Sequence, residues 1–273
     1  MGVRREREKI YRYQEIYNSL KFFHGKNVFK FYGKIDNWEE IEIISRIFYK
    51  KLEELLYGRD LINLIYEKSL KRILEKNNLL NKTLFDIIKD RKYHLEAINI
   101  LIMKIFDYIY YNIKRDLPYI KTLSQISNSL SELLENTYKY TSGEFCITTG
   151  LKADHKYPLI IKIENSYNNV DNVVKSNLES LQKSIDEINA FEDPNQAFMH
   201  MIKARINEED NEDKKQSRLG FAKIRIDTNA YMKLLLNSSH FGEKGITIIL
   251  SIPIKVYSKK EIIESYKKIF SKN

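Results

Sequence analysis

The chain has 273 residues, 43% hydrophobic and 30% charged, enough for one large domain or two small ones around a buried core. Four prolines and nine glycines exclude collagen-like and Gly/Pro-rich disordered classes, and the single cysteine, Cys146, excludes an internal disulfide and a Cys-based zinc site. Lysine and arginine number 46 against 37 acidic residues, a net charge of +9, but the two signs are interspersed as on solvated helix faces.

The densest basic stretch, Arg4, Arg5, Arg7, Lys9 and Arg12, is interrupted by Glu6 and Glu8 and reads as a solvated terminus rather than an arm for nucleic acid or anionic lipid. The first residues carry no apolar run of the signal-peptide kind. The most hydrophobic helical stretch, 97–106, is broken by Asn99 and Lys104, so no membrane span is expected. A reducing cytoplasm is the expected setting.

Val28 to Ile35 alternates apolar and polar residues and predicts a strand, followed by a helix whose capping box would be Asp36 with Glu39. Trp38, Ile41, Ile44, Phe48, Leu52 and Leu55 form its apolar stripe, leaving Lys50, Lys51, Glu53 and Glu54 to water. Residues 61–115 keep a helical period, with breaks near Asn77-Asn78 and Asp90-Arg91, and Pro118 stops the last of these helices. A helix from Leu123 to Tyr140, capped by Thr122 with Gln125, ends at Thr141-Ser-Gly143. Strands at 144–151 and 157–165 are joined through a hairpin at 152–156. Helices at 173–190 and 194–207 follow, then the polar loop 208–217, a helix at 219–228, strands at 231–237 and 246–256, and an amphipathic helix at 259–270. No internal repeat is visible.

The 123–140 helix carries the chemistry-bearing pattern. Leu123, Ile126, Leu130, Leu133, Leu134 and Thr137 fall on one stripe, and the opposite arc holds Gln125, Asn128, Ser129, Glu132, Asn136 and Lys139. Glu132 and Asn136 are one turn apart, so a carboxylate and an amide oxygen can meet at one point. An amide oxygen suits Mg2+, and a carboxylate can polarise a hydroxyl that attacks a phosphate. The same spacing arises on any solvated polar helix face. The histidines His24, His94, His155, His200 and His240 are scattered singly, with no metal-ligand or catalytic spacing, and no P-loop, dinucleotide or nucleophile-elbow motif is present. Cys146 alternates within a predicted strand and reads as a small core residue.

Glu132-Leu-Leu-Glu-Asn-Thr-Tyr-Lys-Tyr140 resembles the N-box of the GHKL (Bergerat-fold) ATPases. Further likenesses follow in the family's order: Ile161-Lys-Ile-Glu-Asn-Ser166 where it carries its adenine-binding Asp, Ser217-Arg-Leu-Gly-Phe221 where it has a glycine motif, and Gly242 to Pro253 like its closing strand. The departures are Asn165 in place of the Asp, Tyr167 where a glycine is usual, and Arg218 in place of a second glycine. Glycines there let backbone amides approach phosphates. These departures, with the front strand and helix, are similar to the SiaB-like protein kinase branch.

The resemblance implies an α+β class, a Bergerat-type α/β sandwich of a mixed sheet covered by helices. A strand-plus-helical region would occupy 1–117, an ATP-binding domain 118–257 and a C-terminal helix 258–273. It implies ATP and Mg2+ as cofactors and a cytoplasmic protein kinase acting on Ser or Thr of a STAS-domain-like partner. Glu132 would be the general base and Asn136 the Mg2+ ligand. Lys139, Asn165, Arg218, Leu219, Gly220 and Thr247 would line the nucleotide site. The alternative reading is a catalytically silent interaction module on the same fold. A nucleic-acid partner is not expected. A homodimer is compatible with the resemblance, although no heptad seam demands one.

Overall fold

The computed structural model of the protein describes residues 12, 15–25, 27–58, 119–152, 156, 158–166, 172–208, 219–242 and 245–271. In chain order these form β1 (Lys21–Gly25), β2 (Val28–Lys34), α1 (Trp38–Tyr57), α2 (Ile120–Tyr140), β3 (Glu144–Leu151), β4 (Leu159–Ser166), α3 (Asn172–Ala190), α4 (Pro194–Glu208), α5 (Leu219–Thr228), β5 (Tyr231–Leu235), β6 (Gly245–Ile252) and α6 (Lys259–Ser271). The α+β class is as expected, and the elements fall within a few residues of their predicted bounds. β1 had no counterpart in the sequence reading. The inserted helices expected over 61–115, with His94 and Pro118, and the loop 209–217 with Arg218 lie outside the described residues.

The six strands run in the order β1-β2-β3-β4-β6-β5. Every ladder is antiparallel, so the sheet is not the mixed one expected. β1 and β2, β3 and β4, and β5 and β6 are each joined by a short connection, which antiparallel pairing accepts and parallel pairing does not. Cross-strand partners share a face, so the register defines two surfaces. One row across the sheet is Phe31, Ile147, Ile163, Ile248 and Leu234, and the next is Phe29, Thr149, Ile161, Leu250 and Met232. All ten are buried. This inner face takes α1: the Phe48 ring lies 5.8 Å from that of Phe29. Serines bring α1 and α2 together, Ser127 donating to the Ser45 carbonyl at 3.1 Å and Ser131 to the Ser45 hydroxyl at 2.7 Å.

Three local expectations are corrected. α1 is capped one residue later than read: Asn37 opens it and Glu40, not Glu39, reaches back to the Asp36 N–H at 2.8 Å and to the Asn37 amide at 2.6 Å. α2 begins at Ile120, so Thr122 and Gln125 sit inside it rather than at its cap. Trp38 is 46% exposed, while Glu53, assigned to water, is buried.

The chain divides into two compact units. Residues 19–49 and 124–254 make the unit that holds the sheet; the front strands, assigned by sequence to the N-terminal region, are therefore integral to it. The other unit gathers 1–18, 50–123 and 255–273. In it the Tyr57 and Tyr119 rings pack tilted at 4.5 Å, and burial pushes the Tyr57 hydroxyl pKa up. Ser258 and Glu261 cap α6 reciprocally, at 2.7 and 3.3 Å.

Gly143 ends the turn between α2 and β3 at φ +81°, and a Cβ there would lie 2.5 Å from the Ile35 carbonyl oxygen. The Ile35 N–H also donates to the Gly143 carbonyl at 2.9 Å, so neither backbone can yield freely. Gly143→Ala is expected to destabilise the fold by about 2–3 kcal/mol in urea unfolding.

Candidate functional site

The middle of the polar arc of α2 is partly covered, while Asn128 and Lys139 are exposed. Ser129 is 2% exposed with its hydroxyl unpartnered, and Glu132 and Asn136, one and two turns further on, are half-buried. What lies against the arc is the start of α5. Gly220 is buried, and a Cβ added to it would collide with Glu132 Oε1 and come within 3.0 Å of its Cδ. The first turn of a helix exposes unpaired N–H groups and the positive end of its dipole, so a carboxylate there is favoured. α5 is held from its other end by Arg225, a residue the sequence reading passed over. Its guanidinium donates to the carbonyls of Asn229, Ala230 and Phe191 and to Asn229 Oδ1 at 2.9–3.1 Å. A basic residue in the last turn, where carbonyls lack partners, is the signal that could have found it.

Asn165 belongs to the same side of the sheet. In the β4 ladders it sits opposite Phe145 and Ile246 on the inner face. It is 6% exposed, and its amide oxygen is buried without a hydrogen-bond partner. Leaving such a carbonyl unpaired costs about 1–3 kcal/mol. The end of α2 is tied beside it. Ser142 N–H donates to the Ser166 carbonyl at 3.3 Å, and the next residue back along β4 is Asn165. Asn136 lies six residues before Ser142, a rise of about 9 Å along a helix.

The remaining predicted residues are placed differently. Lys139 is exposed, paired with Glu135 at 3.4 Å and lying 4.8 Å over the Trp38 ring, so it is not gathered with Glu132. Thr247 stands opposite Glu164, on the other face from Asn165, and donates to the Asn237 carbonyl at 2.7 Å. Leu219 and Gly220 are brought to Glu132. Arg218 and Tyr167 lie outside the described residues.

That other face holds a carboxylate the sequence reading missed. Glu164 is fully buried, and Oε1 accepts from Ser238 Oγ at 2.7 Å, Ser239 Oγ at 2.8 Å, the His240 N–H at 3.1 Å and Lys162 Nζ at 3.1 Å. Burial alone would raise its pKa. The two hydroxyls and the Lys162 ammonium outweigh it and bring the value down to about 2, from an ordinary 4.5. The segment 237–242 is thereby folded onto the sheet, against Gly245, where any side chain would meet Ser238. A hollow of about 430 Å³ lies between α3 and Leu236, lined by Leu178, Gln182 and Asp186 among others, and none of the predicted site residues belongs to it.

Among the described residues, no cluster of His, Cys, Asp and Glu is arranged to hold a metal ion, and no helix is long and apolar enough to cross a membrane. No protein-family model matches the sequence. No curated protein matches it either. Among solved structures, a chain of the SiaB-SiaC complex from Pseudomonas aeruginosa aligns with a TM-score of 0.35 at 13% identity, over 60% of this chain and 85% of that one. At that level the overlap decides neither fold nor activity.

Two outcomes are expected. Because Glu164 has a folded-state pKa below its unfolded value, its contribution, on the order of 3 kcal/mol, is present above about pH 4.5 and is lost as the pH falls towards 2. Glu164→Gln should lower stability at pH 6 and flatten the loss between pH 4.5 and 2, read by urea unfolding. Gly220→Ala meets only the mobile end of Glu132, so it should leave stability within about 1 kcal/mol of wild type, the Ala helix preference offsetting the displacement. Glu132→Ala combined with Gly220→Ala should then exceed Glu132→Ala alone in unfolding midpoint.

Proposed function

We propose that this chain is an ATP-binding regulatory protein of the GHKL kind, acting as a serine/threonine kinase on a STAS-domain-like partner. The observation that carries the reading is the buried, unpartnered amide oxygen of Asn165, on the side of the sheet that bears Glu132 and Asn136. It is an acceptor without a donor, and the exocyclic amine of adenine is a donor of the matching kind. The ordered motifs along 122–253 support the same reading. So does the meeting of Glu132 with Gly220, which joins the N-box-like helix to the remnant of the glycine motif.

The donor set fits Mg2+ only as an ion brought with phosphates. Asn136 would be its protein ligand, water and phosphate oxygens completing the shell. The ion would supply charge neutralisation on the phosphates. Glu132 would accept the proton of the attacking hydroxyl, and Asn165 would orient the base.

The second reading, a silent interaction module, is favoured by a specific observation: the Glu132 carboxylate already faces the first turn of α5, a structural employment that requires no substrate. Calorimetry separates the two. Wild type should bind ATP and ADP with Mg2+, Asn136→Ala should lose the Mg2+-dependent part, and Asn165→Leu should lose both nucleotides while gaining or keeping thermal stability. Absence of heat and of any melting shift with either nucleotide would remove the ATP reading and leave the module. Transfer of labelled phosphate to a STAS-domain protein would exclude the module.

A further inference from the structure

The face of the sheet turned away from the helices carries a row of lysines that the nucleotide reading does not use. By ladder register, one line across all six strands reads Phe23, Lys30, Thr148, Lys162, Ile249 and Lys233. The lysines stand on β2, β4 and β5, two strands apart each time. At about 4.8 Å per strand, successive lysines are about 10 Å apart and the row spans about 19 Å. Lys21 and Tyr32 begin the neighbouring row on the same face.

An open antiparallel face ordinarily mixes charges of both signs. Here Glu164 and Lys162 take each other up, Lys162 also donating to Ser239 Oγ at 2.6 Å, and exposed Glu144 accepts the hydroxyls of Ser142 and Ser166, so the docking charge of the row is that of Lys30 and Lys233. Among the described residues, Lys21, Lys30 and Lys233 have no carboxylate partner. Apolar surface flanks the row: Phe23 is 55% exposed, Tyr231 48% and Leu235 38%.

We propose that this face docks an acidic protein segment in extended form, with carboxylates about six residues apart to meet Lys30 and Lys233 and apolar side chains between them, Lys162 being held by Glu164 and Ser239. An extended chain rises about 3.3 Å per residue and alternates its side chains between two faces, so residues six apart recur on one face at about the 19 Å that separates Lys30 from Lys233. Ile249 and Thr148, between the lysines, meet apolar intervening residues. Single-stranded nucleic acid shares the charge but fits the rings less well. Phe23 stacks on Tyr32 at 6.0 Å and 15°, and Tyr32 has Lys21 over it at 5.3 Å and His240 beside it at 4.9 Å. Those ring faces are engaged with each other rather than open to bases. The row stands whether or not the opposite face takes a nucleotide.

The test uses the full chain and a fluorescein-labelled peptide of about nine residues with two glutamates six positions apart and valine between, its length set by the span of the row. Anisotropy should report saturable binding that weakens as salt rises from low to physiological strength. Lys30→Glu with Lys233→Glu should weaken it by roughly tenfold, and Lys30→Gln with Lys233→Gln by less, with circular dichroism unchanged. Asn136→Ala, which affects only the other face, should leave peptide binding as in wild type. No saturable binding, or equal binding by the glutamine variant, overturns the proposal. Tighter binding of an oligothymidylate of similar length overturns it in favour of nucleic acid.

Discussion

The register of the β3-β4-β6 ladders is the constraint on which the rest depends. Phe145, Asn165 and Ile246 stand in one row and Cys146, Glu164 and Thr247 in the next, on opposite faces. A slip of one residue would send Ile161 and Ile163 to solvent and bring Lys162 and Glu164 under the helices. The cost of burying those charges against apolar helix stripes, unpaired, is what pins the alignment. The polar groups then sort by parity: Asn165 on the inner face, Glu164 and the lysine row on the other.

Two carboxylates show how environment divides the work. Glu164 has four donors on one oxygen and is held ionised while it clasps the 237–242 segment to the sheet. Glu132 is half-buried against Gly220 at the first turn of α5, with no hydrogen-bond partner among the described residues. The first is committed to structure by its bonds. The second is the carboxylate a proton-transfer role would use.

Much of the fold was legible locally. Alternation located β2, β3 and β4, the helical stripe of α2 was buried as read, and Cys146 lies in the core. Errors fell where two local signals competed. Asp36 and Glu39 mimic a capping box, but it is Glu40, one residue on, that reaches back to the Asp36 N–H and the Asn37 side-chain amide. β1, Phe-Phe-His flanked by Lys and Gly, lacks apolar alternation because it is an edge strand that buries little. Within the candidate site, pairing Glu132 with Asn136 needed only helix geometry. Assigning Thr247 to the same side as Asn165 failed because a face is set by pairing register, which no single strand reveals.

Residue order alone located the described helices and the strands other than β1, the apolar stripe of α2, and an acid and an amide sharing one of its turns, because each follows from spacing along a single element. The tertiary structure decided that Glu132 on the polar arc of α2 meets the first turn of α5, that Asn165 keeps an unpaired oxygen on the inner face, and that lysines from three strands line up across the opposite face. Those depend on contacts between residues tens to hundreds of positions apart. Such contacts are settled by packing and hydrogen-bond satisfaction of the whole sheet rather than by the preferences of any one segment.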